Sequence, residues 1–260
     1  MQVYVESTYT YTPMTSSPRF SAVIFDMDGT MFDTEVVAQR GMTQACLTCG
    51  YDMTPEIYMG TLGLPEPGWR AHLMQVFGAQ FPIDQVAVHA RELIHADVAE
   101  NGVPLKTGLI EMLDWLDEME IPRAIASSSR RRTIESHLAQ TGLIERIHAL
   151  VGGDEITHGK PAPDIFLEAA RRLVIDPAHC IVFEDSAAGI RGAHAAGSIP
   201  IMIPDLLPPT DAVRQLAHVV LPSLHAARDY MAGSLEWTPA TRQTGPAIPV
   251  APPPTPSVEG

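Results

Sequence analysis

The chain has 260 residues and a formal net charge of −14, enough length for one large domain or two smaller ones. That charge argues against a nucleic-acid or anionic-membrane partner, because phosphate surfaces are held by dense Lys/Arg patches. Only two lysines are present, Lys106 and Lys160, so an anion must be met by a few local cations or by a metal.

The first nineteen residues are rich in Ser, Thr and Tyr and lack the basic start and apolar centre of a signal peptide. No run of eighteen apolar residues follows, so a cytoplasmic protein, monomeric and without a membrane partner, is expected. Residues 1–18 read as a loose extension. Phe20 to Phe25, apolar apart from Ser21, reads as an interior strand that runs into Asp26, Asp28, Gly29 and Asp33. Residues 34–104 contain no convincing strand and several helical stretches, which predicts a helical unit inserted after the first strand. Within it, Cys46 and Cys49 form a C-x-x-C; no second pair completes a zinc site, so packing is expected, with redox or metal chemistry as the alternative.

Four further apolar runs follow, at 121–127, 147–153, 179–185 and 198–204, separated by helical patterns such as "DIFLEAARRL". That alternation predicts an α/β fold with a parallel sheet covered by helices. The expected layout is a core of 19–33 plus 105–232, a helical cap of 34–104, and a Pro-rich, disordered tail of 233–260.

Ligands of open α/β sheets sit at the carboxyl ends of the strands. The residues found there are Asp26 and Asp28 after the first run, Ser127 after the second, and Glu184 and Asp185 after the fourth. Lys160 follows the third in a short loop. Carboxylate clusters bind hard cations, and Mg²⁺ suits one or two carboxylates plus waters and a substrate phosphate. Asp26 and Asp185, with Glu184 beside them, can provide such a site. Lys160 can neutralise the remaining charge, while Ser127 and Thr30 offer donors to phosphoryl oxygens. Gly29 permits a tight approach of backbone N–H groups. A carboxylate can also be a nucleophile, so Asp26 is read as the attacking group and Asp28 as the acid/base residue.

These residues stand in four segments, "DMDGTMFDTE", "AIASSS", "GKPAPDIFLEAA" and "FEDSAAGIRGAHAAG". Together and in this order they resemble the motifs of haloacid dehalogenase-superfamily phosphohydrolases of the β-phosphoglucomutase-like branch, from Phe20 to about Pro209. The resemblance implies a five-stranded Rossmann-like core, a mobile α-helical cap and hydrolysis of a small phosphorylated metabolite through an aspartyl-phosphate. It implies Mg²⁺ held by Asp26, the Asp28 carbonyl and Asp185, with Glu184 bound directly or through water. It also implies a cis bond at Lys160–Pro161 and places Ser128 and Arg130 near the substrate.

Other residues admit two readings. Asp33 and Glu35 shape the hinge or join the chemistry; Asp154 and Glu155 start a helix or support the site. Arg130, with Arg131 and Arg132, faces substrate or solvent, and His158 is a surface residue or a neighbour of Lys160. In the cap, Trp69 and Arg70 contact a leaving group, or pack and face solvent.

Within the resembling family, Asp28 argues against a dehalogenase, since halide needs no proton. The absence of lysine from residues 34–104 argues against a phosphonatase. A β-phosphoglucomutase carries His where this chain has Ala38 and a "GxSR"-like loop where it reads "GLPE". Hydrolysis is therefore expected, with phosphomutase as the alternative and a catalytically dead binding protein as a remoter one.

Overall fold

A computed structural model of the protein describes residues 18–64 and 66–239. The expected extension before Pro18 and the tail from residue 240 onward lie outside the described residues.

Eight strands form among the described residues, numbered in chain order: β1 (Arg19–Phe20), β2 (Ala22–Phe25), β3 (Arg123–Ser127), β4 (Ala149–Gly152), β5 (Cys180–Glu184), β6 (Ile199–Met202), β7 (Val219–Val220) and β8 (Glu236–Trp237). Six of them build one parallel sheet in the order β4-β3-β2-β5-β6-β7. The sheet thus has one strand more than the five expected. Val219–Val220 is only two residues long, too short to carry a periodicity. The residues of β2, β3 and β5 are buried throughout, as befits a parallel sheet covered on both faces.

The helices that cover it are α5 (Leu109–Glu118), α6 (Arg131–Gln140), α7 (Asp164–Leu173), α8 (Ala187–Ala195), α9 (Asp211–Arg214) and α10 (Leu224–Ser234). On one face Phe25 and Ile125 pack with Leu113 of α5, Ile134 of α6 and Met231 of α10. On the other, Ile24 and Val182 pack against Ile165, Phe166 and Ala169 of α7. The apolar positions Ile165, Phe166 and Ala169 recur at one- and three-residue steps, which puts them on one face of the helix.

Between β2 and β3 the chain leaves the sheet for four helices, α1 (Thr34–Thr48), α2 (Pro55–Met59), α3 (Glu66–Phe77) and α4 (Ile83–Asn101). They close around a small core of their own, including Ala45, Cys46, Tyr58, Leu73 and Phe81. Cys46 is buried there and its thiol is pushed up to about 11 by burial and by Cys49, which supports packing over redox chemistry. The two linkers pair with each other: Asp33 N–H donates to the Pro104 carbonyl at 2.8 Å, and Lys106 N–H to that of Met31 at 2.8 Å.

The chain ends differ from expectation in two ways. The opening run is cut at Ser21, so that Arg19–Phe20 leaves the main sheet and pairs with Glu236–Trp237 in a separate parallel ribbon. Residues 233–239, assigned to the tail on sequence, are thus part of the described structure. The Phe20 and Trp237 rings meet at 5.5 Å and Ser21 Oγ donates to the Thr238 carbonyl at 2.7 Å. A single aromatic in a Pro-rich surrounding gave no periodic signal. Trp237→Ala should cost about 2 kcal/mol for a half-buried aromatic and lower the thermal midpoint by about 4–8 °C. Circular dichroism melting checks this, and an unchanged midpoint would show that the ribbon contributes nothing.

Candidate active site

The register of the sheet creates the site. Phe25 is level with Phe183 on one side and Ile125 on the other, so Asp26 emerges beside Glu184. Asp26 N–H still donates to the Phe183 carbonyl at 2.9 Å, which holds it to the sheet edge. Asp185 follows Glu184, and the carboxylate oxygens of Asp26, Glu184 and Asp185 lie within 4.8 Å of one another.

Lys160 reaches this cluster from the loop before α7. Its ammonium bonds Asp26 Oδ1, Glu184 Oε1 at 2.6 Å and the Ala126 carbonyl at 3.1 Å, and the Lys160–Pro161 peptide is cis. Glu184 is fully buried, and its other oxygen accepts from Ser186 N–H and Ser186 Oγ, each at 2.9 Å. Gly189 makes room for it: a Cβ there would sit 1.8 Å from Glu184 Oε1.

Electrostatics follow from three carboxylates facing one ammonium. Burial raises the Asp26 carboxyl, Lys160 opposes this, and Glu184 and Asp28 push it further up. Burial likewise raises Asp185, with Glu184 and Asp26 adding to it. Burial works against the Lys160 ammonium, yet Asp26 and Glu184 outweigh it and hold Lys160 above the usual lysine range. Asp26 and Lys160 thus both favour their protonated forms although they touch. The cluster lacks positive charge, and a divalent cation between Asp26 and Asp185 would supply it. The all-oxygen donor set fits a hard cation such as Mg²⁺.

Asp28 lies beyond Asp26, where Ser129 Oγ donates to its Oδ2 at 2.8 Å and Ser127 Oγ does so at 3.5 Å. Ser127 Oγ itself accepts from Ser129 N–H at 3.0 Å. Gly29 has φ +80°, and a Cβ there would lie 2.5 Å from Asp185 Oδ2, so the loop needs glycine on both counts. Thr30 is buried, and its Oγ1 has no partner among the described residues.

The remaining candidates separate. Ser128 and Arg130 are exposed at the start of α6, and Arg130 has no ion pair among the described residues. Arg131 pairs with Glu135 and Glu155, and Asp154 Oδ1 accepts from Arg131 N–H at 2.8 Å, so Asp154 and Glu155 brace α6. His158 is exposed and bonds Asp164 at 3.0 Å. Arg70 lies over Trp69 and pairs with Glu66 and Asp84, which occupies it within the cap. Glu35 accepts from Tyr58 Oη at 2.9 Å, tying α1 to α2 at the mouth of the site.

Three residues escaped the sequence reading. Ser129, the last of the serine run, holds Asp28 more closely than Ser127 does. Asp205 lies three residues past the end of β6. Lys106 bonds it at 2.7 Å. Its rarity in the sequence was the available signal.

A family model for hydrolases, haloacid dehalogenase-like hydrolase, matches residues 20–197. The chain is a haloacid dehalogenase-like hydrolase. It is 31% identical to fructose-1-phosphate phosphatase YqaB of Escherichia coli (strain K12) over 182 residues, 69% of this chain and 94% of that protein. It is also 31% identical to the bifunctional riboflavin kinase/FMN phosphatase of Arabidopsis thaliana, over 72% of this chain but only 49% of that protein. Among solved structures, a HAD family hydrolase from Deinococcus radiodurans R1 with bound phosphate and sodium superposes with a TM-score of 0.72 at 30% identity. The match covers 86% of this chain and 100% of that one. The expected phosphohydrolase and the α/β core with helical cap hold for this haloacid dehalogenase-like hydrolase. Among the described residues no helix is long and apolar enough to cross a membrane.

Proposed function

We propose that the protein is a Mg²⁺-dependent phosphatase acting on a small phosphate monoester, such as a sugar phosphate, through an aspartyl-phosphate. The observation that carries this is the meeting of buried Asp26 and Glu184 and part-buried Asp185 at adjoining strand ends, with Lys160 bonded to the first two. Asp26 and Asp185, with the Asp28 carbonyl, would hold the cation, which supplies positive charge to draw the phosphate in and to offset charge on it.

An Asp26 oxygen attacks phosphorus and the ester P–O bond breaks. Asp28 gives its proton to the departing oxygen. Asp28 then takes a proton from water as that water attacks phosphorus, releasing inorganic phosphate and restoring Asp26. Ser129 and Ser127 keep the Asp28 carboxyl beside Asp26, and Ser127, Ser128, Thr30 and the backbone near Gly29 offer donors to phosphoryl oxygens. Lys160 would orient Asp26 and balance its charge, while Arg130, exposed before α6, would meet the substrate body.

A cavity of about 370 Å³ opens between Gly63 of the cap and Asp185, Arg191 and Leu207 of the core, a size that suits a small organic phosphate. Among its lining residues Glu35, Asp185 and Asp205 outnumber Arg191, so a bound cation would be the first attraction for a phosphate dianion. The relatives named as phosphatases support hydrolysis over phosphomutase chemistry. Ala38 and the "GLPE" loop support the same choice, because a mutase must hold its intermediate away from water with well-placed polar groups.

The test is phosphate release from p-nitrophenyl phosphate and a panel of sugar phosphates, nucleotides and phosphoglycolate. Chelation should stop turnover and Mg²⁺ restore it, while Ca²⁺, with looser coordination, should not. With β-glucose 1-phosphate and a bisphosphate primer, inorganic phosphate should appear faster than glucose 6-phosphate. The reverse order would assign the protein to the mutases.

A further inference from the structure

Asp205, three residues past the end of β6, is 8% exposed at its side chain. Its Oδ1 accepts from Lys106 Nζ at 2.7 Å. Its Oδ2 is buried and has no hydrogen-bond partner among the described residues. A buried carboxylate oxygen without a donor has lost its water and gained nothing in return, so its place calls for a donor that arrives with a ligand.

The direction in which Oδ2 faces identifies that ligand. A Cβ on Gly29 would lie 2.5 Å from Asp185 Oδ2 and 3.3 Å from Asp205 Oδ2, so both oxygens converge on the same small space above the loop. Asp205 is not one of the three carboxylates whose oxygens lie within 4.8 Å of one another, so it is placed beside the cation site instead of in it. Mg²⁺ dehydrates reluctantly and keeps several waters, each of which has protons to donate. Lys106 also stands 3.6 Å from Asp33 Oδ1, and its backbone N–H bonds Met31. It therefore links Asp205 to both linkers of the cap.

We propose that Asp205 is a positioning residue of the metal site: its Oδ2 accepts a hydrogen bond from a water on the cation held by Asp26 and Asp185, and Lys106 fixes the carboxylate in that pose. The inference rests on the metal reading given under the proposed function. It assigns to the returning linker a part in cation binding that no side chain of the catalytic segments performs.

Calorimetric titration of the full chain with Mg²⁺, without substrate, tests it. Asp205→Ala should weaken Mg²⁺ binding by about 10-fold or more at unchanged stoichiometry, the usual effect of losing a group that orients a metal's ligands. Asp205→Asn keeps an acceptor oxygen and should fall between Ala and wild type. Lys106→Met should weaken binding less than Asp205→Ala. Thermal melting in chelator separates this from a folding defect: the double variant Asp205→Ala/Lys106→Met removes both charges and should keep its metal-free midpoint while binding Mg²⁺ weakly. Wild-type Mg²⁺ affinity in both Asp205 variants would overturn the assignment and leave the metal site standing. A wild-type chain that binds no divalent cation would overturn both.

Discussion

Asp26→Asn is expected to lower turnover by on the order of 10³-fold or more, because an amide neither attacks phosphorus nor holds a cation as a carboxylate does. The same variant should not be less stable without metal. Burial, Glu184 and Asp28 raise the Asp26 carboxyl against the pull of Lys160, so its ionised form is a burden on the folded chain. A carboxyl whose affinity for its proton is raised by folding contributes stability below the ordinary carboxylate range. It loses that contribution as pH climbs toward its raised value. The neutral amide has no such loss. In chelator, the melting midpoint of Asp26→Asn should therefore gain on that of the wild type between about pH 5 and about pH 8. Steady-state phosphate release and melting curves check both halves. Wild-type turnover in the variant would refute the nucleophile, whereas a gap that narrows with pH would refute the charge balance.

Lys160→Met is expected to harm folding as well as catalysis. Among the described residues the ammonium is the one cation bonded to both Asp26 and Glu184, and both carboxylates are buried. Removing one partner of a buried ion pair typically costs about 3–5 kcal/mol, since the remaining charge has neither water nor counter-ion. For a chain of this size that lowers the melting midpoint by about 10 °C or more in chelator. Methionine fills the stem's volume beside Phe166, whose ring centre lies 5.1 Å from Nζ, so packing loss is small and charge loss dominates. Added Mg²⁺ should recover part of the midpoint and little of the rate. An unchanged midpoint would show that Lys160 is not the cluster's main internal counter-charge.

Much of this was legible in the residues. Phe20 to Phe25 reads as a buried strand, and the ends of the apolar runs fall at Asp26, Asp28, Ser127, Glu184 and Asp185. What escaped has physical causes. Val219–Val220 and Glu236–Trp237 are pairs too short for a period of two to show. Ser21 looked like one polar residue in a strand, but there the chain passes from one sheet to another. Ser129 differs from Ser127 and Ser128 only in where the turn after β3 points it. Asp205 stands three residues past β6 in a stretch of Leu and Pro with no motif around it. Its link to Lys106 joins residues 99 positions apart, which no local pattern reveals.

The pairing of the two cap linkers has an evolutionary consequence. With Asp33 bonded to Pro104 and Lys106 to Met31, the gap in the sheet domain is closed whether or not anything is carried between them. An inserted unit need only begin and finish at neighbouring points. The side-by-side packing of α1 and α4, tied by Arg40 and Asp97, meets that condition. The helices are thus a cassette on a fixed socket. Changes within the cassette would leave the carboxylates at the strand ends in place.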